Sequence, residues 1–105
     1  MANEIELSTE ADETTIHIKA DQFMYGEVYQ EFNQAFESPE VVNAASRVVD
    51  LTAVNMIDSS GLAMLLKMRD FLGEDDANIR IVGANKQISD ILAIAGFDKL
   101  FKVEQ

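Results

Sequence analysis

The sequence predicts an α/β fold, a mixed β-sheet of about four to five strands with helices packed against it. Three patterns carry this reading. Apolar and polar side chains alternate with a period of two in short segments near the N-terminus, and apolar side chains recur at helical spacing between the later strands. From residue 14 onward the order strand, helix, strand, helix, strand implies parallel pairing through right-handed crossovers, and an antiparallel first strand makes the sheet mixed.

Taken in order, Ile5 and Leu7 alternate with Glu4, Glu6 and Ser8, which gives a short strand at a sheet edge. Residues 14–19 alternate again and are rich in β-branched side chains, with Ala11, Asp12 and Glu13 as the turn of a hairpin. Tyr25, Val28, Tyr29, Phe32, Ala35 and Phe36 then form one apolar stripe of a helix, and Ser38-Pro39 ends it because proline disfavours helical geometry in the residue before it. Residues 41–46 read as a short helical turn leading into a strand at 47–51.

The next helix is apolar over more than half its circumference. Leu62, Met64, Leu65, Leu66, Met68, Phe71 and Leu72 leave mainly Lys67 and Asp70 as a polar strip, so the helix is either nearly engulfed or shares a side with another protein. A loop over 73–78 leads to a strand at 79–82. Asn85 is suited to cap a last helix whose Ile88, Ile91, Leu92 and Ala95 share a face, with Gly96 at its left-handed end. Phe97, Leu100, Phe101 and Val103 pack a final turn and a short edge strand.

With 105 residues, 48% of them hydrophobic and 26% charged, the chain is expected to form a single domain over 1–105, with residues 1–4 disordered. No run approaches the ~18 apolar residues of a membrane span, and the acidic start lacks a signal peptide's basic and apolar regions. A cytoplasmic protein without direct membrane insertion is therefore expected. The absence of cysteine excludes disulfides and thiolate chemistry. A formal charge of −11 disfavours nucleic acid and anionic membranes, and favours either plain solubility or a protein partner with a basic docking face.

The chemistry concentrates in one stretch. Val48-Val49-Asp50-Leu51 reads as a buried strand, and Ile57-Asp58-Ser59-Ser60-Gly61-Leu62 as a tight loop opening a helix. Such a loop presents a serine where unpaired amides and the helix dipole receive an anion, and a phosphoserine fits there. The plainer role for Ser59 or Ser60 is that of helix N-cap. Hydrolysis is disfavoured: the single histidine, His17, lies in an early strand, and no Gly-x-Ser-x-Gly elbow is present. Gly61 frees the turn and permits close approach of a partner. Asp50 and Asp58, without histidine support, are assigned no metal. Met56, Met64 and Met68 are candidate interface residues, with core packing the default for the last two. No nucleotide-binding loop and no cofactor site is found.

The run Asp58-Ser59-Ser60-Gly61-Leu62 before an apolar helix, followed by Ile79-Arg80-Ile81-Val82-Gly83 and by Ala95-Gly96-Phe97, resembles the STAS domain of bacterial anti-sigma factor antagonists. The resemblance extends from Thr14 to Val103 and implies a STAS-like mixed sheet. It implies that the serine directly after the aspartate, Ser59, is phosphorylated, with Ser60 the second choice and Asp58, Gly61, Leu62 and Asp21 as surroundings. Family members carry a Gly-x-Leu/Phe-Asp element after the second strand. Here the stretch is Lys19-Ala20-Asp21-Gln22-Phe23-Met24, without the glycine, so the family carboxylate falls on Met24 or is replaced by Asp21.

The implied function is regulatory, without catalysis of its own. The unmodified chain would bind an anti-sigma factor with a serine-kinase domain and release a sigma factor. Phosphorylation would end the binding, and a metal-dependent serine phosphatase would restore it. The alternative is an unphosphorylated STAS-like structural subunit of a transporter or lipid-transport complex. Either a monomer or a weak homodimer suits the apolar helix.

Overall fold

Two adjacent residues in left-handed conformation, Ala11 (φ 51°) and Asp12 (φ 67°), turn the chain between its first two strands. A two-residue turn of that hand matches the twist of a hairpin and fixes its register. The computed structural model describes residues 4–104. Residues 1–3 lie outside it, and with them most of the segment expected to be disordered. At Glu4 the amide donates to Glu31 Oε1 at 3.0 Å and the carbonyl accepts from the Lys19 amide at 2.7 Å.

Strands β1 (Ile5–Glu10) and β2 (Glu13–Ile18) pair antiparallel, with Ile5 opposite Ile18 and Glu10 opposite Glu13. Next come β3 (Gln22–Phe23), α1 (Glu27–Phe36), α2 (Pro39–Val42), β4 (Ser46–Asp50), β5 (Met56–Ile57), α3 (Ser59–Phe71), β6 (Ile79–Val82), α4 (Lys86–Ile94) and β7 (Lys102–Val103). Short 3-10 turns cover Glu74–Asp76 and Phe97–Lys99. The main sheet has five strands in the order β1-β2-β4-β6-β7, all pairs after the first being parallel, and β3 pairs with β5 in a separate parallel ribbon. The expected mixed sheet with helices against it is the observed architecture.

The helices share one core with one face of the sheet. Ile16, Ile18, Val49, Leu51 and Ile81 from the sheet side meet Phe32 and Phe36 of α1, Met64, Leu65 and Met68 of α3, and Ile88 and Leu92 of α4. Edge-to-face aromatic contacts run through it, from Phe23 to Phe32 at 5.0 Å between ring centres and on to Phe36 at 5.7 Å. The other sheet face carries Glu6, Ser8 and Glu10 of β1, Thr15 and His17 of β2, Val48 and Asp50 of β4, and Arg80 of β6, and among the described residues no helix covers it.

Several local expectations are corrected. The helix drawn from Tyr25 begins at Glu27, because Gly26 (φ 146°) breaks helical geometry there and leaves Tyr25 74% exposed. The two-residue strands β3 and β5 were not anticipated, since alternation cannot be seen in so short a segment. Ala95 is the exposed C-terminal cap of α4, not part of its buried face. Helix α3 is buried on one side only: Leu66 and Phe71 are exposed, although Phe71 still meets Phe36 at 5.6 Å.

One buried cation anchors the start of β4. Arg47, 7% exposed, donates to the carbonyls of Val41 (2.8 Å), Val42 (2.6 Å) and Ala77 (2.8 Å), which ties β4 to the C-terminal turn of α2. Carbonyls at a helix end carry partial negative charge, so the guanidinium is compensated without a carboxylate.

Candidate functional site

Helix α3 begins at the rim of the sheet where the parallel strands end. Its N-cap is Asp58, whose Oδ1 accepts from the amides of Ser60 (2.9 Å) and Gly61 (3.2 Å) and from the Ser60 hydroxyl (2.5 Å). The cap is therefore the aspartate and not a serine. It follows that the Ser60 and Gly61 amides, expected to receive an anion, are already paired within the chain. These hydrogen bonds, the Ser60 hydroxyl first, hold the Asp58 carboxyl below the usual carboxylate range.

The two serines differ in what their hydroxyls do. Ser60 Oγ donates to Asp58 and accepts from the Tyr25 amide at 2.7 Å, bridging the start of α3 to the loop before α1. Ser59, on the first turn, is exposed. Its side chain has no hydrogen-bond partner among the described residues.

Two further contacts fix the loop. Asp21 accepts from Asn55 Nδ2 at 2.5 Å, and its carbonyl accepts from the Asn55 amide at 2.7 Å and the Met56 amide at 3.2 Å. This places Asp21 beside the segment that leads into Asp58, as β3 and β5 pair Gln22 with Met56 and Phe23 with Ile57. Gly61 has its own constraint: a Cβ there would lie 2.2 Å from the Phe23 carbonyl oxygen and 2.7 Å from Ile57 Cγ1. Its lack of a side chain serves the approach of the chain's own β3, and Gly61 is buried.

Beside this loop runs an open groove of about 430 Å³, lined by Glu4, Asp21, Met24, Tyr25, Gly26 and Glu27 among others. Met56 is half exposed at the same rim. Met64 and Met68 are corrected: they are 1% and 0% exposed because their i, i+4 spacing points both into the core, and neither offers a surface to a partner. Leu62 is partly buried against that core.

The two aspartates weighed for metal are both committed to the protein. Asp50 Oδ1 accepts from the Thr52 amide (2.9 Å) and hydroxyl (2.5 Å), and its Oδ2 from His17 Nδ1 (2.8 Å). Burial raises the Asp50 carboxyl, but the Thr52 and His17 hydrogen bonds outweigh it and the net shift is downward. Among the described residues no three His, Cys, Asp or Glu side chains cluster as a metal site. His17 stands on the uncovered sheet face, bonded to Ser8 and Asp50 and to neither Ser59 nor Ser60.

Asp21 and Gly61 were expected beside the serines, but the Tyr25 partner of Ser60, the Asn55 partner of Asp21 and the packing of Phe23 on Gly61 were not anticipated from the sequence. The third had a faint signal, a glycine inside the first turn of a helix, where glycine is otherwise unfavourable.

The family model described as STAS domain matches residues 6–105. A STAS-domain containing protein of Pseudomonas aeruginosa (strain UCBPP-PA14) is 36% identical over 96 residues, 91% of this chain and 92% of that protein. Among solved structures, an anti-sigma factor antagonist from Mycobacterium paratuberculosis superposes with a TM-score of 0.73 at 17% identity, over 94% of this chain and 82% of that one. The Bacillus cell fate determinant SpoIIAA in its phosphorylated form gives a TM-score of 0.70 at 8% identity, over 96% and 91%. At such identities the structural likeness establishes the fold.

Proposed function

The chain belongs to the STAS domain family, and on that premise we propose that it is an anti-sigma factor antagonist that switches partners through phosphorylation of Ser59. The observation that carries this reading is the division between the two hydroxyls. Ser59 is exposed and unengaged, whereas the Ser60 hydroxyl donates to Asp58 and accepts from the Tyr25 amide, so a phosphate there would lose the Asp58 hydrogen bond and lie against that carboxylate.

The switch is electrostatic. A phosphate adds about −1.5 to −2 charges, and the nearest helix amides are already held by the ionised Asp58. The new charge has no internal receptor and faces the partner. Docking then requires its desolvation next to Asp58, and both desolvation and like-charge repulsion oppose it. The unmodified chain binds an anti-sigma factor that is also a serine kinase, and a sigma factor is released. Modification ends the complex, and a metal-dependent phosphatase resets it. The exposed Tyr25 and the half-exposed Met56 supply apolar contact area. The chain contributes a substrate hydroxyl and no catalysis, and acts in the cytoplasm with its kinase.

The test has two arms. Incubation with the kinase and Mg-ATP, followed by peptide mapping, should place one phosphate on Ser59. Calorimetry should give Ser59→Ala the affinity of the unmodified chain and Ser59→Asp an affinity at least about tenfold lower. Equal, undiminished affinities for both variants remove the switch. A stable complex that never becomes phosphorylated favours the structural-subunit reading.

A further inference from the structure

The uncovered sheet face holds a hydrogen-bonded chain of three side chains from three neighbouring strands. Ser8 Oγ on β1 lies 2.8 Å from His17 Nε2 on β2, and His17 Nδ1 lies 2.8 Å from Asp50 Oδ2 on β4. His17 and Asp50 are direct partners in the parallel register. The Thr52 amide and hydroxyl occupy the other Asp50 oxygen and fix the carboxylate in place. An ionised carboxylate only accepts, so Nδ1 carries a proton, and in the neutral ring it is the Nε2 lone pair that faces the serine hydroxyl. At 26% and 23% exposure the imidazole and carboxylate are mostly covered, while Ser8 is open to solvent.

We propose that Ser8 is an activated nucleophile, a modification site separate from Ser59, that takes an acyl group from small activated esters. In the step Oγ attacks the ester carbonyl, its proton passes to His17 Nε2, the new Oγ–C bond forms, and the C–O bond to the leaving group breaks with departure of the alkoxide or phenolate. Asp50 holds the imidazolium formed. No oxyanion site accompanies the chain, because strand amides lie in the plane of the sheet and not above it. The reaction is therefore a single acylation and not rapid turnover. Glu6, opposite His17 on β1, and Glu10, on the same face beyond Ser8, repel anionic esters and favour neutral or cationic ones.

A neutral probe that gives a stable adduct tests this. With diisopropyl fluorophosphate the Oγ–P bond forms, the P–F bond breaks and fluoride leaves. Peptide mapping of the full chain should show Ser8 labelled about 10²-fold faster than the exposed Ser59 of the same molecule, the gain a positioned general base provides. His17→Ala and His17→Gln should both abolish that advantage and leave the Ser59 rate unchanged. The charged groups facing the ring are Glu6 on β1 and Asp50 on β4, with no helix over that face among the described residues. Two variants are used so that a failure of one to fold does not decide the matter. Labelling of Ser8 no faster than Ser59, or unmoved by either histidine variant, overturns the proposal.

Discussion

Helices α3 and α4 open at the same rim with similar devices, yet only one of them is built into a site. Asn85 caps α4 by accepting from the Ile88 amide at 2.8 Å, and its side chain makes no other hydrogen bond among the described residues. Asp58 caps α3 and is wired outward. Its partner Ser60 reaches Tyr25 before α1, the neighbouring Asp21–Asn55 pair fixes the loop, and Gly61 lets β3 lie against the helix start. The difference teaches that a cap is a local matter, whereas a site capable of signalling requires side chains from distant segments to settle which hydroxyl is engaged and which is free.

The sharpest way to break the comparison is at Gly61. Gly61→Ala drives a methyl into the Phe23 carbonyl, and a loss of about 3 kcal/mol is expected in urea unfolding, against about 1 kcal/mol for Asn85→Ala. Comparable small losses for the two variants would mean that β3 is not held against α3. A smaller effect is expected at Ser60. Ser60→Ala removes the Tyr25 bridge at about 1 kcal/mol and speeds hydrogen exchange of the Tyr25 amide, while Ser59→Ala leaves that amide unchanged. Unaltered exchange in Ser60→Ala would show that the bridge does not form in solution.

The smallest effect is a pH dependence confined to α3. The folded Asp58 value is lowered, so the unfolded chain binds more protons and stability rises with pH. Its contribution is fully present above the ordinary aspartate value of about 4, and is lost as pH falls through the lower folded one. Asp58→Asn should therefore narrow the difference in Tm between pH 7 and pH 3, by an amount that Asn85→Ala does not reproduce. Asp50 and Glu13, also lowered, supply the acid sensitivity that remains.

The elements legible in the sequence were those whose signal is repeated. The α1 stripe of Val28, Phe32 and Phe36, the alternation of Ile16 and Ile18, and the Asn85 cap each express one local period or one local hydrogen bond, and each lies where it was read. The position of Ser59 at the start of α3 was legible for the same reason. What escaped was long-range. Nothing near Ser60 announces that Tyr25, 35 residues earlier, donates to it, and nothing near His17 names Ser8 and Asp50 as its neighbours. Met64 and Met68 were open because a helix apolar on most sides does not say which side its core occupies.

The antiparallel first strand has a practical corollary. Because β1 runs against the other strands, Ile5 lies opposite Ile18 at the end of β2, and the neighbouring Glu4 lines the groove beside the serine loop. An affinity handle or fluorophore joined there crowds the surface being measured. The hairpin tip at Ala11 and Asp12 sits a six-residue strand away, about 20 Å, and is the sounder place to graft a reporter or to tether the molecule to a sensor chip.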